Sequence, residues 1–168
     1  MDADLGALII RLALGPMLVA HGLNKVFGPG GLEGTERWFA GLGLRPARLH
    51  ARLAAGTEIA TGALMSVGLL TGPVAAGFVG LMLVAGLTDH RGKGYFVFKG
   101  GSEYVVLVAT VALGLAATGP GAWSLDHVLG LDYAGSAWAG AALVGGVTAG
   151  LGLLGVSYRP GLRRRARR

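Results

Sequence analysis

His21 and Lys25 stand four residues apart, so on a helix they share one side. Glu58, His90 and Glu103 follow, each in or at the edge of an apolar run. Lysine and glutamate can neutralise each other in a buried pair. Histidine and carboxylate can pass protons or hold a polar ligand near neutral pH. An ionisable group at the centre of a membrane helix costs about 2.5–3.5 kcal/mol on insertion scales, so each such residue needs a partner or a purpose. Arg11 is a sixth ionisable residue in the same class of environment.

The elements that must position these residues are apolar helices. Only 14% of the 168 residues are charged and 52% are hydrophobic. Soluble domains carry about 25% charged residues, so too little polar surface is present here to coat a water-facing globule. Five apolar stretches stand out: Leu5–Phe27, His50–Leu70, Val74–Thr88, Gly101–Ala117 and Ser136–Val156. A membrane span needs roughly 20 apolar residues; the first, second and fifth stretches meet this, and the third and fourth are short. The aromatic segment Tyr95–Phe98 fits the membrane interface and can lend the short ones length. The Leu70-Thr-Gly-Pro73 turn makes spans two and three an antiparallel hairpin. The expected fold is an all-α membrane protein, a four-helix transmembrane bundle with a fifth C-terminal transmembrane helix. The expected division is a four-helix unit over 5–131, the added helix over 136–156 and a basic tail over 157–168.

Charge placement sets the expected orientation. With the N-terminus outside, the cytoplasmic segments are Gly28–Leu49, Asp89–Gly100 and the tail after Val156. These segments and the flanking helix ends hold all of the 15 Lys and Arg residues except Arg11. The positive-inside bias therefore predicts a multi-pass protein of the plasma (inner) membrane, N-terminus outside and C-terminus cytoplasmic. The acidic start, MDAD, does not read as a cleavable signal peptide.

At 1.5 Å rise per residue, His21 lies about 9 Å and Glu58 about 12 Å from the cytoplasmic ends of their spans; Lys25, His90 and Glu103 lie within about 5 Å of that interface. Glu58 shares its face with Ala54, Thr61, Gly62 and Met65, and Glu103 shares one with Thr110 and Gly114. Small residues beside a carboxylate place it at a helix–helix interface. The competing structural accounts are snorkelling to water for Lys25, His90, Glu103 and Arg11, and a buried Glu58 pair with Lys25 or His21 that only fixes helix register. His50 and His127 are expected at the surface. In the fifth span, the rows Ala137-Ala141-Gly145-Ala149 and Ala142-Gly146-Gly150 permit close packing, within the bundle or between copies in a homo-oligomer.

Several other chemistries find no support. Cysteine is absent, which removes disulfides, thiol redox chemistry and Cys-ligated metals. The glycine-rich Phe27–Thr35 stretch lacks the Gly-Lys-Ser/Thr of a phosphate loop and reads as a flexible turn. The histidines are too dispersed for a metal site, and a bis-His haem would rest on His21 and His90 alone. The net charge of +6 comes with no nucleic-acid motif.

The chain resembles the DoxX family of small bacterial membrane proteins. The match runs through Gly15, His21-Gly-Leu-Asn-Lys25, Phe27-Gly28, Gly41-Leu-Gly-Leu-Arg-Pro46, Glu58-Ile-Ala-Thr-Gly62 and Gly68-Leu-Leu-Thr71. It continues through Asp89-His90, Gly94-Tyr95-Phe96, Gly101-Ser-Glu-Tyr104, Gly119-Pro-Gly121 and Ser124-Leu-Asp126. Order and spacing agree over 5–131; the fifth span and arginine tail lie beyond it. The resemblance implies a four-helix membrane unit. A related branch supplies the membrane subunit of a thiosulfate:quinone oxidoreductase, and the wider clan includes Surfeit-locus cargo receptors.

Two functional expectations follow. In the first, the protein is a membrane subunit of a redox system. It binds a quinone or similar lipophilic molecule through His21, Lys25, Glu58, His90 and Glu103, with a partner protein supplying electrons. In the second it is a non-catalytic anchor or assembly factor. Its basic face, including Arg163, Arg164, Arg165, Arg167 and Arg168, then holds anionic lipid or a soluble partner. No inverted repeat or broken helix pair marks a transporter.

Overall fold

Long runs of Leu, Ala, Val and Gly, broken only at glycine- or proline-containing turns, leave the backbone few ways to satisfy its polar groups in lipid except as helices. The computed structural model describes residues 2–160 of the chain. Its helices are α1 (Asp2–Phe27), α2 (Gly31–Leu42), α3 (Ala47–Val67), α4 (Thr71–Thr88), α5 (Glu103–Thr118), α6 (Leu125–Val128) and α7 (Ser136–Ser157), with a 3-10 turn at Val97–Lys99. The arginines from Arg163 to Arg168 lie outside the described residues.

Among the described residues three helices are long and apolar enough to cross a membrane: α1, α4 and α7. α5 is apolar but has only 16 residues. α3 is not in that set despite its 21 residues, because Arg48, Arg52 and Glu58 fall along it. Both nonetheless run beside the longer helices. The fold is an all-α multi-pass membrane protein, and the five expected stretches reappear as α1, α3, α4, α5 and α7.

The segment read as a flexible turn is different. α2 forms where the glycines suggested irregular chain, with left-handed Gly30 and Gly43 at its two ends (φ 80° and 96°). Thr35 and Phe39 are its buried residues, while Glu33 and Arg37 face water. Phe39 packs with Leu44, Ala47, Ala51 and Leu154, so α2 lies across the ends of α3 and α7.

Two close helix pairs build the bundle, each made by glycine. At Gly62 of α3 an added Cβ would sit 2.6 Å from the Gly15 carbonyl oxygen of α1, and one at Gly22 would sit 2.8 Å from the Ala55 oxygen. At Gly146 of α7 an added Cβ would sit 2.6 Å from the Ala76 oxygen of α4. Backbones this close gain van der Waals contact, which lipid cannot replace. Of the two small-residue rows on α7, Ala142-Gly146-Gly150 is buried, with Gly146 and Gly150 against α4, and Ala137-Ala141-Gly145-Ala149 is exposed. α5 joins the α4 side through Val105, Val108, Ala112 and Leu115, which share the core with Phe78 and Met82.

The helix ends sort into two groups. At one end, Asp4 accepts from Ala122 N (2.8 Å) and Asp126 N donates to the Gly68 carbonyl (2.9 Å). At the other, Arg45 N donates to the Ser157 carbonyl (2.9 Å), Arg159 N donates to the Gly43 carbonyl (2.7 Å), and Leu44 bridges Tyr158. The N-terminus and the end of α7 therefore lie on opposite faces of the bundle.

Candidate functional site: a cleft between two helix pairs

The α1–α3 pair and the α4–α5–α7 group meet less closely than the helices within each. Between them lies a cavity of about 560 Å³, predominantly apolar, toward the basic end. Its volume falls within the range of small-molecule sites, about 300–1,000 Å³. Glu58, only 8% exposed, points into it from α3. Lys25 Nζ lies 2.8 Å from Glu58 Oε1 and 2.6 Å from Oε2, so the pair is bidentate on the carboxylate. Gly22, one turn before Lys25, brings α1 against α3 and makes this reach possible. Lys25 Nζ is also 6.0 Å from the centre of the Trp38 ring on α2.

His21, one turn deeper than Lys25, also lines the cavity. Its ring is 6.3 Å from that of Tyr104 on α5, and its nitrogens make no hydrogen bond among the described residues. Tyr104 donates to Met17 Sδ (2.6 Å). His90 lines the opposite wall, its Nδ1 2.7 Å from the Gly100 carbonyl. A carbonyl only accepts, so Nδ1 carries the proton and Nε2 is the nitrogen left for other partners. Four of the five expected site residues, His21, Lys25, Glu58 and His90, thus line one cavity.

Glu103 does not join them. Its Oε2 accepts from Val97 N at 2.9 Å, outside the cavity, and closes the 3-10 turn onto the start of α5. The neighbours Thr110 and Gly114 are exposed, and an added Cβ at Gly114 meets nothing within 4 Å. These two small residues face the surroundings, so they did not mark a helix interface.

Two further expectations are corrected. His50 is 7% exposed and lines the cavity, its Nε2 3.3 Å from the Arg45 carbonyl, because α2 folds over the first turn of α3. Arg11 is 1% exposed and does not snorkel: Nη1 donates to the Ser66 carbonyl (2.9 Å) and Nη2 to the Trp123 carbonyl (2.6 Å). Nearby, buried Asp126 accepts from Leu70 N (2.7 Å), Thr71 N (2.9 Å) and Thr71 Oγ1 (2.7 Å). The α6 loop thus caps α4 from outside its own sequence, and holds Leu70 in a left-handed conformation (φ 56°). This second polar cluster locks the end away from the cavity. His127 is exposed, as expected.

Sequence reasoning missed Trp38, Phe39 and Tyr104 as lining residues. The spacing Leu32, Thr35, Phe39, Leu42 was an available helical signal for α2. Tyr104 follows Glu103 directly, about 100° round the helix, so it lies on a different face from the one the carboxylate marked.

The fold and cleft define a multi-pass helical membrane protein with a polar-ended apolar cavity between its helices. The DoxX family model matches residues 6–91, slightly more than half of the chain, which belongs to the DoxX family. That stretch holds His21, Lys25, Glu58 and His90. The chain is 32% identical over 123 residues to the Bacillus subtilis (strain 168) protein named "Putative oxidoreductase CatD", covering 73% of this chain and 86% of that one. It is 32% identical over 128 residues to "Inner membrane protein YphA" of Escherichia coli (strain K12), covering 71% and 87%. No solved structure matches it significantly.

Proposed function

We propose that the protein is a membrane subunit of a redox system that binds a small lipophilic ligand of the quinone class in the cleft. The observation that carries this reading is the Lys25–Glu58 pair at the inner end of an apolar cavity, with His21 and His90 beside it. Ligand sites of this kind take their affinity from apolar walls and their orientation from a few placed polar groups. Lys25 has a third N–H beyond the two given to Glu58, and it can donate to a quinone oxygen. His21, whose ring nitrogens are unused among the described residues, and His90 Nε2 can deliver or accept the protons that accompany reduction. The sequence carries no cysteine, flavin motif or convincing haem ligand pair, so electrons would come from a partner protein. The oxidoreductase name of the Bacillus relative agrees with this class. The charge asymmetry supports placing the cleft in the cytoplasmic half of the inner membrane, N-terminus outside.

A second reading, an anchor or assembly factor, is favoured by the exposed belt of Arg37, Arg45, Arg48, Arg52, Arg91 and Lys93 at the basic end. Basic residues near an anionic leaflet contribute about 1 kcal/mol each to surface binding.

Both readings are separated by one experiment in native membranes. The protein is purified in mild detergent, then assayed for bound quinone and for co-purifying protein. The redox reading expects His21→Ala and Glu58→Gln to lose quinone while inserting normally. The anchor reading expects neutralisation of the Arg163–Arg168 tail to lose the partner, with the cleft variants unaffected. Cleft variants that keep wild-type quinone content would rule out the redox reading.

A further inference from the structure

We infer that the cleft is loaded sideways from the bilayer, through a gap between α3 and α7, and that this gap holds the hydrocarbon chain of the ligand. The inference rests on the quinone-class reading above and adds to it the ligand's second half and its route. The cavity does not stop at the Lys25–Glu58 pair. Its lining continues to Leu53 and Thr57 on α3 and to Gly145 and Ala149 on α7, all four exposed. α4 floors the space between them with Gly77 and Gly80.

Depth decides what this opening faces. Leu53 and Thr57 lie six and ten residues from the start of α3, and Gly145 and Ala149 lie twelve and eight from the end of α7. Those two helix ends are joined by the Arg45–Ser157 bond, so they mark one level. At 1.5 Å per residue the opening sits about 9–18 Å in from that level. Arg52, exposed one residue before Leu53, keeps that part of the rim near the headgroup level, whereas the deeper rim at Thr57, Gly145 and Ala149 lies within a bilayer core of about 30 Å and faces acyl chains.

The composition of the rim agrees. α7 turns its buried Gly146 and Gly150 to α4, and leaves Gly145 with no atom within 4 Å of a would-be Cβ. The gap is therefore not a by-product of the α4–α7 contact, which uses the neighbouring row. An apolar channel leading from lipid to a buried ion pair suits an amphiphile: a polar ring at Lys25, Glu58 and His21, and a chain lying over Gly77 and Gly80 and out between the lips.

The test uses the full chain in nanodiscs of fixed lipid composition. The probes are a decyl-substituted benzoquinone and the same ring without its chain, with binding followed by quenching of tryptophan fluorescence. Gly145→Leu with Ala149→Leu fills the gap. Gly140→Leu, on the same helix at an exposed position outside the cavity, is the control. Wild type should bind the decyl compound more tightly than the bare ring. The double variant should weaken the decyl compound about tenfold or more, as overpacking of a filled site does, and leave the bare ring within about twofold. The control should change neither. Unchanged decyl binding in the double variant, equal loss of both probes, or equal affinity of both for wild type would each overturn the chain assignment while leaving the polar site standing. Binding of neither probe to wild type would overturn this inference and the quinone-class reading together.

Discussion

Lys25 and Glu58 come from different helices, 33 residues apart, yet one nitrogen reaches both carboxylate oxygens at 2.6 and 2.8 Å. The side chains are 12% and 11% exposed, so little water screens them. Such a pair contributes modestly to stability compared with a well-packed apolar replacement, but losing one partner leaves a bare charge in the interior.

Glu58→Leu should therefore destabilise by about 3–5 kcal/mol, and Glu58→Gln, which keeps an acceptor for Lys25, by distinctly less. Lys25→Met combined with Glu58→Leu should recover most of the loss. Thermal unfolding in one detergent compares the three; equal melting of the Leu and Gln variants would mean that the pair is not what the site requires.

Gly62→Ala should be costly and Gly114→Ala near neutral, although both glycines lie inside helices. The first would put a methyl 2.6 Å from the Gly15 oxygen, and the second meets nothing. Overpacking costs about 1–3 kcal/mol, whereas glycine to alanine in open helix is mildly favourable. Comparable melting temperatures for the two would contradict the α1–α3 contact.

Asp126→Ala should strip three hydrogen bonds from Leu70 and Thr71. A buried donor left unpaired costs about 1–3 kcal/mol. Hydrogen exchange at the first turn of α4 should rise in this variant, while amides near Glu58 keep their protection. Uniform exchange along α4 would show that the loop does not cap it.

Fusion of a topology reporter after Arg168 should report cytoplasm, and one in the 118–135 loop should report the exterior, given the placement of 14 of 15 basic residues. A C-terminus outside the cell would invert the bundle and put the cleft in the opposite leaflet.

The polar cluster was largely readable in the sequence because it depends on depth, and depth follows from counting residues along apolar runs. His21, Lys25 and Glu58 fall at neighbouring levels on helices that must run antiparallel, so their meeting is close to arithmetic. Glu103 shows where counting stops. At a helix end the residue is free to turn toward its own loop, and Val97 N took it. Arg11 failed for another reason. Its partners, the carbonyls of Ser66 and Trp123, are backbone atoms up to 112 residues away and leave no trace in side-chain pattern. α2 was hidden by glycines that sit at its ends and serve as caps.

The backbone tie between Leu44 and Tyr158 has a bearing on how the molecule is made. α7 supplies one lip of the cleft and covers α4 at Gly80 and Gly146, yet among the described helices it is the last to leave the ribosome. Chains are assembled from the N-terminus onward during synthesis. Until α7 is made, the α1–α3 pair can form and Lys25 can find Glu58, but the groove has only one wall. The cavity closes only when α7 arrives and its end is stitched back to the link before α3. A chain cut short after α5 would already carry the ion pair, beside a groove left open on the side that α7 covers.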